Sequence, residues 1–132
     1  MSDEPSRYLP ELLPDGRMDS EAFFSLLSED IVWDLSRSPF PDAGVYHGIE
    51  GVRDWFRGLD DAFGDVSYEV EQVREAGERV AVLLHVRGQG PTSRIAVDYR
   101  FVPVMTFHEG KIIRMDRYDD WAAATAALGV VE

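Results

Sequence analysis

Along "MDSEAFFSLLSED" the apolar residues Phe23, Leu26 and Leu27 recur at i, i+3 and i+4, and Asp19 or Ser20 stands ready as a cap, so the spacing predicts a short amphipathic helix. The next stretch, "IVWDLSRSPF", changes period to two. If Ile31, Trp33 and Leu35 share one strand face, Val32 and Asp34 share the other, and the carboxylate of Asp34 faces either water at a strand end or a cavity. "RSPFPDAGVYHG" has the Pro, Gly and Asp content of an irregular loop. From Ile49 onward, Val52, Trp55, Phe56, Leu59 and Phe63 form one helical stripe opposite Arg53, Asp54, Arg57 and Asp60, which predicts a second helix with a bulky aromatic face.

The second half reads as strands. "VSYEVEQVRE" alternates, "GE" turns, "RVAVLLHVRG" is apolar, and "SRIAVDYRFVPVMTFH" runs long before "EGK" turns into "IIRMDRY". Short turns between successive strands predict antiparallel pairing. Pro103 has no N–H for a ladder, so a bulge or an edge is expected near it. The Ala-rich "DDWAAATAALG" predicts a closing helix stopped at Gly129. At the other end, prolines at 5, 10 and 14 divide residues 1–17 into a tail or broken helix ahead of one domain, residues 18–132. Helices followed by an antiparallel sheet make an α+β layer with one sheet face covered by helices. The other face, carrying Val102 and Val104 with His85, is expected to be partly apolar, and a homodimer through this outer sheet face would cover it.

Charge narrows the partners. Thirteen Lys plus Arg against twenty-five Asp plus Glu give a net charge of -12, which repels nucleic acid and anionic membrane surfaces in the absence of a basic patch. The chain has no cysteine, and its three histidines are scattered, so neither thiol chemistry nor a metal-ligand spacing is expected. No continuous apolar run marks the first thirty residues as a signal peptide or membrane span, and a cytoplasmic protein is the default expectation.

Taken together, "EDIVWD", the loop ending "YHG", the helix "IEGVRDWF" and the closing "FHEGKIIRMDRYDDWAAATAALG" resemble the SnoaL-like branch of the nuclear transport factor 2-like superfamily, relatives of ketosteroid isomerase, limonene epoxide hydrolase and scytalone dehydratase. The likeness runs from about Met18 to Gly129. It implies a cone of curved antiparallel sheet wrapped on helices, a pocket inside, and frequent dimerisation. The resemblance places Asp34 where the isomerase keeps its general base. It also places Pro103 at the isomerase's oxyanion carboxyl, so that donor is missing. Tyr8 would match the tyrosine donor only if the proline-broken segment were helical. Arg94 and Asp98 stand four apart rather than two, so the epoxide hydrolase pair is not reproduced. Arg117 stands where those hydrolases carry a final acid.

With the pleat phased on that template, Val82, Leu84 and Val86 look inward from one strand, Tyr99, Phe101, Met105 and Phe107 from the next, and Met115 and Arg117 from the last. Trp55 and Leu59 line the helix side, and Trp55 with Tyr46 can equally be plain core. Asp34 is then the chief acid of a mostly apolar pocket and Arg117 its chief base. Burial raises a carboxylate's pKa by up to ~3–5 units, whereas an arginine within reach lowers it by roughly 1–3. If Arg117 is distant, Asp34 suits proton transfer; if they touch, the pair suits orienting a polar ligand. His47 at the loop end and the Tyr99 hydroxyl are the remaining polar candidates, while His85 points outward by phase and His108 sits at a turn. Two functions compete. One is a cofactor-independent isomerase, cyclase or dehydratase acting on a hydrophobic polyketide- or terpenoid-like carbonyl compound with Asp34 as base. The other is a non-catalytic dimeric ligand-binding or interaction module.

Overall fold

The sheet is punctuated wherever the backbone needs a positive φ. Strand β3 (Val66–Ala76) reverses into β4 (Arg79–Gln89) at Gly77, φ 61°. Strand β5 (Ala96–His108) reverses into β6 (Lys111–Tyr118) through Glu109 and Gly110, φ 51° and 79°. Two successive positive φ values make the tight turn whose twist matches a hairpin, which is why "EG" works there. The computed structural model describes residues 21–38, 43–63, 66–89 and 96–129. The tail or broken helix expected over residues 1–17 lies outside them.

Ahead of the hairpins come α1 (Glu21–Ser25), β1 (Leu27–Asp34), β2 (Val45–His47) and α2 (Gly48–Phe63), and after them α3 (Trp121–Ala127). The six strands form one curved sheet in the order β2-β1-β6-β5-β4-β3, antiparallel throughout except that β1 runs parallel to β6. This is an α+β architecture. The inner face buries Ile31 and Trp33 of β1, and Leu35 just past its end, against Val82 and Leu84 of β4, Phe101 of β5 and Met115 of β6. Helix α2 closes it with Val52, Trp55 and Phe56, the stripe that the 3.6-residue period predicts. Across that seam Arg53 reaches back to Glu21 of α1 at 2.8 and 3.1 Å.

Four expectations are corrected. The first helix ends at Ser25, because Leu27 already pairs with Ile112 of β6, whose N–H donates to the carbonyl of Leu26 at 2.7 Å; "LSED" is strand entry. The segment "VYH", assigned to loop, is β2, paired to β1. Pro103 lies in a central strand and not at an edge, and the register irregularity of β5 against β6 falls farther along, between Thr106 and Phe107. The β4–β5 pairs run from Ala81↔Val104 to Leu84↔Phe101 with the register kept, so the missing N–H is absorbed by skipping pairs in a central ladder.

The fourth concerns the outer face. Helix α3 lies on it, and Ala124 and Leu128 bury Ala81, Val102 and Val104. Asp120 caps α3 by accepting the N–H of Ala123 at 2.7 Å, and Gly129 at φ 78° ends it. The valines from which a homodimer was inferred are therefore covered by the chain's own C-terminal helix. No described helix is long and apolar enough to cross a membrane.

Candidate functional site

Strand parity decides which polar groups meet the aromatic interior. In β6, Met115 and Arg117 face inward, while Arg114 and Asp116 face out beneath Val104's side of the sheet. Arg117 is 1% exposed, the one charged side chain among the described residues so deeply buried. Its guanidinium lies 4.7 Å from the Phe101 ring centroid and 5.8 Å from that of Tyr99, within cation–π range. It donates from Nε and Nη2 to Oδ1 of Asp119, at 3.1 and 2.9 Å. Taking an ion out of water costs several kcal/mol after relaxation. Asp119, itself 38% exposed, offsets only part of that, so the buried guanidinium marks the inner face as more than packing.

Asp34 is not on this face. Its neighbours Trp33 and Leu35 occupy the interior at 0% exposure, so alternation turns Asp34 to the outer face, where it pairs in register with Asp116. There Oδ1 accepts the hydroxyl and the N–H of Ser36 at 2.6 and 2.9 Å, and Oδ2 accepts Nη2 of Arg114 at 3.0 Å. Arg114 also grips both oxygens of Asp116. The Ser36 hydroxyl and N–H, with help from Arg114 and Arg37 and against the opposing effect of burial, hold the Asp34 carboxyl below its usual range. An anion so stabilised is a poor proton acceptor near neutrality. The expected convergence of Asp34 and Arg117 is thus corrected: they stand on opposite faces of the sheet.

His47 likewise stands off the inner face. It pairs with Val32 on the outward parity of β1 and is exposed, whereas its neighbour Tyr46 pairs with Trp33 and packs on the core. Tyr99 is half-buried on the inner face, its ring 6.1 Å from Phe101. Val82, Leu84, Val86, Phe101, Met105 and Met115 are all buried and inward. Trp55 meets Trp33 edge-on at 5.6 Å. Leu59 falls on α2, with its side chain outside the described residues.

Two groups escaped the sequence reading. Asp119 lies just past the last strand, where alternation no longer assigns a face. Trp33 was assigned the correct parity but not a polar role. Its indole N–H is buried with no hydrogen-bond partner among the described residues, and an unmet buried donor costs about 1–3 kcal/mol.

A second cluster lies on the outer face. His85, buried there as its phase predicts, meets Asp98 at 2.6 Å and Glu71 at 3.6 Å, and Glu69, Glu71 and His85 present ligand atoms within 4.8 Å of one another. Arg100 holds Glu71 at 2.6 and 3.1 Å and Arg87 holds Glu69 at 3.1 Å. A divalent cation would have to displace both guanidiniums, so the cluster is an ion-pair lattice across β3, β4 and β5. Its hydrogen bonds lower the pKa of Glu71 through Arg100 and of Asp98 through His85.

The family model of the SnoaL-like domain matches residues 13–115. The chain belongs to the SnoaL-like family. Solved structures agree on the fold. An NTF2-like protein from Burkholderia thailandensis E264 superposes with a TM-score of 0.76 at 19% identity, over 98% of this chain and 100% of that one. A candidate SnoaL-like polyketide cyclase from Jannaschia sp. CCS1 gives 0.69 at 18% identity, over 100% and 99%. TerC, co-crystallized with polyporic acid, gives 0.64 at 20% identity, over 83% and 85%. Among curated proteins none is similar enough to match the chain. At these identities the SnoaL-like neighbours establish the nuclear transport factor 2-like, cystatin-like architecture and leave the chemistry to the site itself.

Proposed function

We propose that this SnoaL-like domain binds a planar, hydrophobic carbonyl compound against the inner sheet face, with its oxygen on Arg117, and acts on it as a cofactor-independent cyclase or isomerase. The observation that carries the proposal is the buried guanidinium of Arg117 among Phe101, Tyr99 and their aromatic neighbours. A charge fixed in an apolar, low-dielectric setting acts strongly on an oxygen that gains negative charge as an enolate forms. The aromatic rings favour a flat, conjugated skeleton. The polyporic acid bound by TerC and the polyketide cyclase likeness support the same ligand class.

In this reading the anchor is Arg117, and Asp34 serves the outer face. Proton transfer falls to the Tyr99 hydroxyl or to Asp119, the carboxylate beside Arg117. The alternative, binding without turnover, is favoured by one observation: the expected base is turned away and held as a stable anion.

The test is a titration with planar aromatic ketones and hydroxyquinones, followed by quenching of tryptophan fluorescence, since Trp33 and Trp55 both lie at the site. Saturable quenching should vanish in Arg117→Met and persist in Asp34→Asn. Chromatography with mass detection of the incubated ligands then separates a cyclase or isomerase from a binder. Equal binding by the wild type and Arg117→Met would end the proposal.

A further inference from the structure

Trp33 is the second polar anomaly of the inner face. Its side chain is 0% exposed and its Nε1–H has no acceptor among the described residues. An indole nitrogen can only donate, so the group absent from this position is an acceptor. The described surroundings supply none: Ile31, Leu35, Trp55, Phe101 and Met115 are its companions in the interior. Folded proteins leave few buried donors unmet, and an unmet donor on the face that carries the buried Arg117 is a place where a bound molecule can supply the acceptor.

Its position relative to Arg117 is defined by register. Trp33 pairs with Met115, and Arg117 is the next inward residue of the same strand. Both groups lie against one ring, Phe101, with the indole centroid at 6.5 Å and the guanidinium carbon at 4.7 Å. The inner face therefore carries a charged donor and a neutral donor on adjacent strands, one inward position out of register and sharing the Phe101 ring.

We infer that the Trp33 N–H is a ligand-binding donor, and that together with Arg117 it selects the anion of an enolised diketone or hydroxyquinone. Such a molecule offers a charged oxygen to the guanidinium and a second, neutral carbonyl oxygen to the indole on one planar skeleton. Arginine alone accepts any carboxylate bidentately, so it sets charge and not class. The indole adds the discrimination, because a site built to meet a hydrogen-bonding group disfavours analogues that leave it unmet. This inference rests on the inner-face reading proposed above and names its substrate class.

The experiment uses the full chain with 15N-labelled tryptophan, which has three indole signals, assigned with Trp33→Phe and Trp55→Phe. The probes are 2-hydroxy-1,4-naphthoquinone, which is an anion at neutral pH, the neutral 1,4-naphthoquinone, and 2-naphthoate, whose two oxygens both suit the guanidinium. The hydroxyquinone should move the Trp33 indole proton downfield and slow its exchange with solvent. Trp33→Phe should weaken hydroxyquinone binding about ten-fold, equivalent to about 1.4 kcal/mol, and leave 2-naphthoate within about two-fold. If the hydroxyquinone binds and is lost in Arg117→Met while the Trp33 signal stays still, the inference falls and the inner-face reading stands. If no probe binds the wild type, both fall. Should Trp33→Phe fail to fold, the wild-type indole signal alone decides between these outcomes, with Trp55→Phe and the remaining signals giving the assignment.

Discussion

Replacing Asp34 by Asn separates the two faces of the sheet. The amide keeps an oxygen for the Ser36 hydroxyl and N–H, now at 2.6 and 2.9 Å from Oδ1, but both bonds lose their charge assistance. Halving two charge-assisted bonds of about 1.5–3 kcal/mol each removes about 1.5–3 kcal/mol. Arg114 loses one anionic partner at 3.0 Å and keeps Asp116, and because its own side chain is 44% exposed that loss is worth only ~0.2–1 kcal/mol. The sum is about 2–4 kcal/mol, and for a domain of this size each kcal/mol moves Tm by about 3–5 °C. The pH dependence has a definite sign. A carboxylate held below its usual pKa contributes stability that is fully present above the unfolded value, about 3.9, and is lost as pH falls through the lowered folded value. Wild type and Asp34→Asn should therefore differ at neutral pH and converge in acid. Circular dichroism melts across pH, together with ligand quenching at neutral pH, measure both quantities. An Asn variant with unchanged or raised Tm that no longer binds or converts ligand would refute the outer-face assignment, because that is the behaviour of an acid confined in an apolar hollow.

Three further outcomes follow from the same geometry. Arg117→Met, which fills a similar volume without a charge, removes the buried member of the pair and leaves Asp119, 38% exposed, to water, so stability should stay within about 1 kcal/mol of wild type while binding of anionic ligands is abolished; denaturant unfolding and titration read the two effects separately. Ending the chain after Tyr118 removes α3 and uncovers Ala81, Val102 and Val104, so the truncated protein should self-associate in size-exclusion chromatography with light scattering and bind a hydrophobic dye, whereas an unchanged mass and no dye binding would show that α3 does not shield that face. Asp120→Ala removes the acceptor of the Ala123 N–H and should cost about 1 kcal/mol, read as a lower Tm, with Asp120→Ser restoring most of it.

What the sequence disclosed depended on how local the cause was. Helix α2, the strands β3 to β6 and the capped α3 follow from period and turn chemistry within a few residues of each, and they are where the reading placed them. The parallel pairing of β1 with β6 joins segments about eighty residues apart and left no local trace. Pro103 misled for a related reason: its missing N–H is tolerated because flanking pairs on both neighbouring strands hold the ladder. The site was half legible. Alternation divided β1 correctly into Ile31, Trp33 and Leu35 against Val32 and Asp34, but a template and not the residues chose which set faced the interior.

The residues themselves carry the answer. Three large apolar side chains, one of them an indole, gain far more from burial than Val32 alone, at about 25 cal/mol for each Å² of apolar surface removed from water. Turning Asp34 inward would have turned Trp33, now at 0% exposure, out to solvent. The same rule applied to β6 sends Met115 inward and takes Arg117 with it, at the expense of desolvating a guanidinium. Strand parity thus makes the apolar payload of β1 exclude a carboxylate from the inner face, and that of β6 draw a cation in. A face built this way carries a buried guanidinium, its charge met only in part by the half-exposed Asp119, and a buried indole donor. The anionic ligand proposed above is the kind of molecule that such a face suits.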